Sequence, residues 1–249
     1  MSGHNKWSSI KHKKGKEDAK RGKIFTKIIR EITVAARSGG GDPEANPALR
    51  LAVSRAQNAN MPKDNIERGI KRGTGELEGV NYEDFLYEAY SPGGVALIIV
   101  GLSDNKKRTV SEVRHAVTSH NGSMAEKGSV AWNFHQMGHI FIQKDKYDED
   151  ELMMTALDCG ADDFVAEDDI YLITVNPHDL QKVIISLENE NIKIDDFSLV
   201  YEPKNTVKAN DSASQIIGLI NELEDLDDVQ NVFANFDIDD EILEKIAVE

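Results

Sequence analysis

The hydrophobic pattern of this chain is helical up to about residue 75 and mixes strand with helix spacings after it, and that change limits the folds open to it. Before it, apolar residues recur at the spacing of an amphipathic helix. Over Asp18–Ser38, the residues Ile24, Phe25, Ile28, Ile29, Ile32 and Ala36 share one helical face, and Gly39-Gly40-Gly41 stops the helix. A second helix starts at Asn46-Pro47, a good cap followed by a proline suited to the first helical position. Its inner face is Leu49, Ala52, Val53 and Ala56. A third, short helix is expected over Lys63–Arg72, ending at Gly73, with Asp64 and Glu67 at capping-box spacing. Gly73 to Gly79 reads as a linker.

Beyond the linker the pattern is that of strands. Glu83–Tyr90 alternates, Ser91-Pro92-Gly93-Gly94 turns, and Val95–Leu102 is nearly all apolar, which predicts a hairpin. Asp104 or Asn105 can cap a helix carrying Val110, Val113 and Val117, and Ser129–Phe134 is expected to be a strand. Next, strand Ile140–Gln143, helix Glu149–Cys159, strands Asp163–Ala166 and Ile170–Val175, helix Asp179–Glu190 and strand Ser198–Tyr201 give the ferredoxin-like order β-α-β-β-α-β. A helix over Ser212–Leu223, a strand over Val229–Ala234 and a last helix over Asp239–Ala247 remain. They find partners most economically in the sheet begun at Glu83. The expected fold is therefore α+β: an N-terminal three-helix domain (1–79), then two α/β sandwich-like domains. One of these is discontinuous (80–137 plus 206–249), and the other is ferredoxin-like and inserted in it (138–205).

Charge is segregated along the same division. Residues 1–75 carry 17 Lys and Arg against 7 Asp and Glu, a net +10, whereas the rest carries 12 against 37, a net −25. A basic end beside an acidic body points to a polyanionic partner. The cations gather in a lead and a helical stripe: Lys6, Lys11, Lys13, Lys14, Lys16, Lys20, Arg21, Lys23, Lys27 and Arg30. Such a run often marks a solvated helix face. Surface helices mix both signs, however, and no acid stands between Lys6 and Lys16, so phosphate contact is the expectation. Trp7 and His12 lie in the lead; Trp7 either stacks on a base or, the reading favoured by aromatic burial, pins the lead with Ile10. Arg50, Arg55, Lys63, Arg68, Lys71 and Arg72 extend the positive surface or simply solvate their helices. Lys106, Lys107 and Arg108, with Arg114, form a basic island at a helix start, where the dipole disfavours cations; they are secondary candidates for phosphate contact.

Other chemistries find little support. Lys127-Gly128-Ser129 lacks the upstream glycine of a phosphate loop. His135 and His139 are four apart across Gly138 in a strand context, a single cysteine leaves no Cys pair, and the acidic runs Asp162–Asp169 and Glu222–Asp228 lack the glycine of a calcium loop and read as solvated faces. No metal, cofactor or catalytic set is expected. Cys159 reads as a small residue packed at a helix end. The N-terminus MSGHNKWSSIKHKK has no apolar core of a secretory signal, and no apolar run approaches the roughly 20 residues of a membrane span. A monomer of the reducing cytoplasm is expected, with no membrane partner.

Several longer motifs resemble the YebC/PmpR family: MSGHNKWSSIKHKK with DAKRGKIFTKIIREI, NPALRLAVSRAQNANMPKDNIERGIKRG, YEAYSPGGVALI, SDNKKRTVSEVRHA and KGSVAWNF. The likeness spans the chain. It implies three domains, one helical and two α+β, and a nucleic-acid role as a regulator of gene expression. Members generally carry the label of DNA-binding transcriptional regulators; the alternative is a ribosome-associated translation factor binding RNA, since the family includes a mitochondrial translational activator of cytochrome oxidase. Ser91 stands where the family usually has Gly in its Tyr-x-Pro-Gly-Gly turn. The resemblance suggests that this turn is an exposed functional loop.

Overall fold

The computed structural model describes residues 18–167 and 169–248. Helices α1 (Asp18–Gly39), α2 (Pro47–Asn58) and α3 (Lys63–Thr74) bury Ile28, Ile32 and Ala36 against Leu49, Ala52, Ala56, Met61 and Ile66. The Asn46 side chain accepts the Leu49 N–H, so the asparagine caps α2 as its position suggests. The capping box at α3 is not realised: Pro62 stands at the cap without a side-chain bond, and Glu67 lies 3.7 Å from Lys63 instead. Nor does Gly73 end α3, which runs on to Thr74 and stops at Gly75, whose φ of 84° is the left-handed region glycine tolerates. Gly73 serves packing. A Cβ there would come within 2.5 Å of the Thr33 carbonyl oxygen and 2.6 Å of the Ala36 Cβ on α1. Gly73→Ala gains about 1 kcal/mol of helix propensity but meets backbone that cannot yield, at a cost of about 1–3 kcal/mol. Thermal unfolding of the variant should therefore show a net loss of stability.

Strands β1 (Glu83–Tyr90) and β2 (Ala96–Ser103) form the expected hairpin, Glu83 opposite Ser103 and Tyr90 opposite Ala96. Its turn uses Gly93 and Gly94 at φ of 78° and 75°. A short strand β3 (Ser123–Ala125), not anticipated from sequence, joins β1, and β9 (Val229–Ala234) joins the far edge of β2, for the order β3-β1-β2-β9. Helices α4 (Lys106–Ser119) and α7 (Ala213–Asp225) bury Val113, Val117, Ile216 and Ile220 with Leu97 and Ile99 of β2 in one core, which Leu243 of α8 (Asp240–Val248) completes. A two-stranded parallel pair, β8 (Val207–Lys208) with β10 (Phe236–Asp237), lies in the C-terminal stretch.

The sheet thus takes strands from both sides of an intervening segment. The chain separates into two compact units, one running to Phe134 and resuming at Pro203, the other His135–Glu202. The second holds β4 (Phe134–Gln143), α5 (Glu149–Asp158), β5 (Asp163–Ala166), β6 (Ile170–Val175), α6 (Leu180–Asn189) and β7 (Asp196–Pro203). Its sheet order β5-β6-β4-β7 is ferredoxin-like, and Ile140, Ile142, Leu152, Ile173, Ile184 and Leu187 fill its core. No helix among the described residues is long and apolar enough to cross a membrane.

One expected strand is absent. Ala131–Asn133 is a single 3-10 turn, and β4 begins only at Phe134. The cause is Glu88 on β1. Its carboxylate, 2% exposed, accepts the N–H groups of Gly128 (2.6 Å), Val130 (2.7 Å) and Ala131 (2.9 Å). Donors taken by a side chain are lost to a sheet ladder. Burial pushes the Glu88 carboxyl up, but the three N–H groups outweigh it and hold the group below its ordinary value. A strand would have put Trp132 on the same side as Val130 and Phe134, both buried; the turn leaves it 65% exposed.

Candidate nucleic-acid interface

The basic lead, Lys6, Lys11, Lys13, Lys14 and Lys16, lies outside the described residues. Lys20 and Arg21 sit on the first turns of α1, and their side chains are likewise outside the description. The remaining stripe residues do not face open solvent as a row. Lys23 Nζ lies 3.5 Å from Asp225 Oδ2, both side chains about half exposed. Lys27 Nζ donates to the Glu224 carbonyl oxygen at 2.6 Å. Arg30 is a correction to the sequence reading: it is 7% exposed, and its Nη1 lies 2.5 Å from Asp228 Oδ1. The same nitrogen also donates to the carbonyls of Leu102 (3.3 Å) and Asp227, and the guanidinium carbon stands 5.3 Å from the centre of the Tyr82 ring.

The sequence explains this arrangement locally. Helix α1 has an apolar face for α2 and α3 and a cationic face opposite, and the turn between α7 and β9 is acidic. The two faces meet. Gly101 lets the end of the acidic turn come close to β2: the β2–β9 register shifts there, and a Cβ would sit 2.0 Å from the Asp228 carbonyl oxygen. Leu102 N–H then donates to that oxygen at 2.9 Å, fixing Asp228 at the strand entry.

Asp228, 2% exposed, is the hub of the cluster. Besides Arg30 it accepts from Ser103 Oγ (3.2 Å), from Thr109 Oγ1, and from Arg108 Nη2 (2.9 Å). Burial raises its pKa, but the Thr109 and Arg108 hydrogen bonds and the two guanidinium charges outweigh that and hold it low. Arg108 also pairs with Asp104 at 2.6 Å, and its hydrogen bonds to both carboxylates raise its pKa. Two expectations change here. Arg108 serves the cluster, and Asp228, read as the end of a solvated acidic run, is buried. The signal in the sequence was slight: an acid standing directly before a buried apolar strand.

The other secondary candidates divide. Lys106 pairs with Glu83 at 2.9 Å, whereas Lys107 and Arg114 are exposed on α4. The dipole argument against cations at this helix start fails because Asp228, Asp104 and Glu83 supply the counter-charge. On the helical part, Arg55 pairs with Glu31 at 3.2 Å, while Arg68, Lys71 and Arg72 are exposed. Arg72 borders an open cleft with Ile29, Thr33, Glu78, Val80 and Tyr82.

In the second unit, His139 Nε2 lies 3.1 Å and His135 Nε2 3.6 Å from the two oxygens of Glu202. Residues four apart in a strand also share a face, so the strand context that argued against a shared helical face still brings both imidazoles to one carboxylate. Among the described residues no group of three or more His, Cys, Asp or Glu could hold a metal ion.

Comparison with known proteins places these features in a family. Residues 5–76 match the TACO1/YebC protein N-terminal domain, and residues 82–236 match the TACO1/YebC second and third domain. A relative from Halothermothrix orenii named "Probable transcriptional regulatory protein" is 51% identical over 253 residues, covering 100% of both chains. One from Thermotoga maritima with the same name is 54% identical, covering 99% of this chain and 98% of its own. The crystal structure of a conserved hypothetical protein from Aquifex aeolicus superposes with a TM-score of 0.80 at 45% identity, covering 91% of this chain and 94% of that one.

Proposed function

Because the chain belongs to the TACO1/YebC family, we propose that it is a nucleic-acid-binding regulator of gene expression whose cationic lead, Lys6 to Lys16, grips phosphates. One observation carries this reading: five lysines without an intervening acid stand just before α1. Lys23, Lys27 and Arg30 of α1 lean on Asp225, the Glu224 carbonyl and Asp228, which favours the lead over the stripe as the polyphosphate contact. The remainder of the chain, with a net −25 beyond residue 75, repels nucleic acid overall and weights the contact toward that end.

The name borne by the relatives favours DNA and transcription. A second reading, an RNA-binding translation factor at the ribosome, is supported by α3. Helix-turn-helix readout needs a second helix presenting side chains to the major groove. Here α3 lacks a side-chain cap at its N-terminus, and it turns Gly69 and Gly73 into α1.

Crosslinking in cells followed by sequencing of bound DNA and RNA separates the two. Promoter DNA supports the first reading and ribosomal RNA the second; enrichment of neither overturns both. In solution, log affinity should fall with log salt by about 0.9 per phosphate neutralised on a duplex, or about 0.7 on a single strand. A flat response would show that the lead is not the contact.

A further inference from the structure

The lead does not account for Trp132. A large aromatic 65% exposed is unusual, because burying such a ring is among the largest gains a side chain can make. Its exposure is enforced from both sides. Upstream, the Glu88 carboxylate holds the N–H groups of Gly128, Val130 and Ala131. Downstream, Asn133 is buried, donates to the Asn205 carbonyl oxygen at 2.9 Å and accepts from the Asn205 backbone N–H at 3.1 Å. The indole N–H is itself occupied, donating to the Ser129 carbonyl oxygen at 2.9 Å, the same oxygen that takes the Tyr90 hydroxyl at 3.2 Å. What Trp132 offers a ligand is therefore an aromatic face with no polar group to satisfy.

One cation is anchored to the Trp132 backbone and another lies earlier on the same loop. Lys204 Nζ donates to the Trp132 carbonyl oxygen at 2.9 Å with its side chain exposed, and Lys127 is exposed on the same loop. A protein-binding hot spot is ringed by groups that exclude water, and its core is depleted of charge. An isolated ring beside two lysines instead matches the pairing used for single-stranded nucleic acid, in which a base stacks on the ring and cations hold the adjoining phosphates. We propose that Trp132 is a stacking platform for an unpaired base, with Lys204 and Lys127 as its phosphate contacts. The platform rests on the reading that this chain binds nucleic acid, but it is a site separate from the basic lead. Because the ring lacks a free donor or acceptor, it takes any base and carries no sequence preference.

The test uses the full chain and a 12-nucleotide single-stranded RNA of mixed sequence, with the same sequence as a duplex for comparison. The chain holds two tryptophans, Trp7 and Trp132, so Trp7→Phe leaves one reporter. Its emission should be quenched by the single strand. Trp132→Ala should lower single-strand affinity by roughly 5- to 150-fold, equivalent to about 1–3 kcal/mol per stacked base. Trp132→Phe should recover most of the loss, and duplex affinity should change less than about twofold. The unfolding temperature should stay at the wild-type value, since the ring is exposed. Single-strand affinity in Trp132→Ala within about twofold of wild type overturns the platform, and so does an equal loss on both RNAs. The lead fails separately: if charge reversal of Lys11, Lys13 and Lys14 changes nothing while Trp132→Ala weakens single-strand binding, the platform stands and the lead does not. Loss of a protein partner in Trp132→Ala with unchanged RNA affinity would assign the ring to a protein surface and overturn the proposal.

Discussion

Asp228→Ala should cost about 3–5 kcal/mol of stability, the amount expected when one member of a buried ion pair is removed and the other is left uncompensated. Few substitutions in this chain should cost more. The carboxylate is 2% exposed and accepts from Arg30, Arg108, Ser103 and Thr109. Arg30 cannot follow its charge into water, because α1 is held by its own hydrophobic cluster. The variant should lose hydrogen-exchange protection first along α1 and at the β2–β9 junction, the parts that the cluster joins. Arg30→Met combined with Asp228→Leu should recover much of the loss, since apolar groups of similar volume often replace a buried pair at little cost. A double variant as unstable as Asp228→Ala would show that the ionic cluster, not burial alone, is what the junction needs.

The pH dependence of this effect has a definite sign. The folded pKa of Asp228 lies below its ordinary value. Its contribution is therefore complete above the unfolded value, near 4, and is lost as pH falls through the folded one. Wild type and Asp228→Ala should differ most near neutrality and converge in acid. Chemical denaturation at several pH values measures this directly, and curves that diverge in acid would contradict it.

Reversing the lead, with Lys11, Lys13 and Lys14 all changed to Glu, should lower nucleic-acid affinity on the order of a hundredfold at 0.1 M salt. Three neutralised phosphates are lost and three repulsions added. The slope of log affinity against log salt should become shallower by about 2–3. None of the three lysines belongs to the apolar stripe of α1, so the unfolding temperature should hold. Lys23→Glu with Lys27→Glu supplies the comparison. These two lean on Asp225 and on the Glu224 carbonyl, so their reversal should disturb that junction while affecting binding far less. Equal losses of affinity in the two sets would return the contact to the whole stripe, and no loss in the first would remove it from the lead.

Much of the fold was legible because its signals are local. Strands Glu83–Tyr90, Asp163–Ala166, Ile170–Val175 and Val229–Ala234 have the bounds that their apolar runs predict. Asn46-Pro47 and Asn105 start helices as capping chemistry requires, the asparagine side chain accepting from a backbone N–H in both. Where sequence reading failed, a distant residue had intervened. Ser129–Phe134 has the composition of a strand, but Glu88, some 40 residues earlier, takes the N–H groups of Val130 and Ala131. Gly73 was read as the end of α3, but it lies inside the helix because α1 packs across it.

The amino-acid sequence alone determined most of the elements, their order and the division of charge between the two ends, because hydrophobic period, capping and net charge depend on residues within a few positions of one another. Only the tertiary structure decided which charges remain available. Arg30 and Asp228 stand 198 residues apart, and in the one-dimensional pattern Arg30 read as a phosphate contact and Asp228 as the end of a solvated acidic run. A charge is buried or free according to the partner brought beside it and the water removed around it, and neither is encoded locally. Trp132 was settled in the same way, turned outward by a carboxylate on another strand.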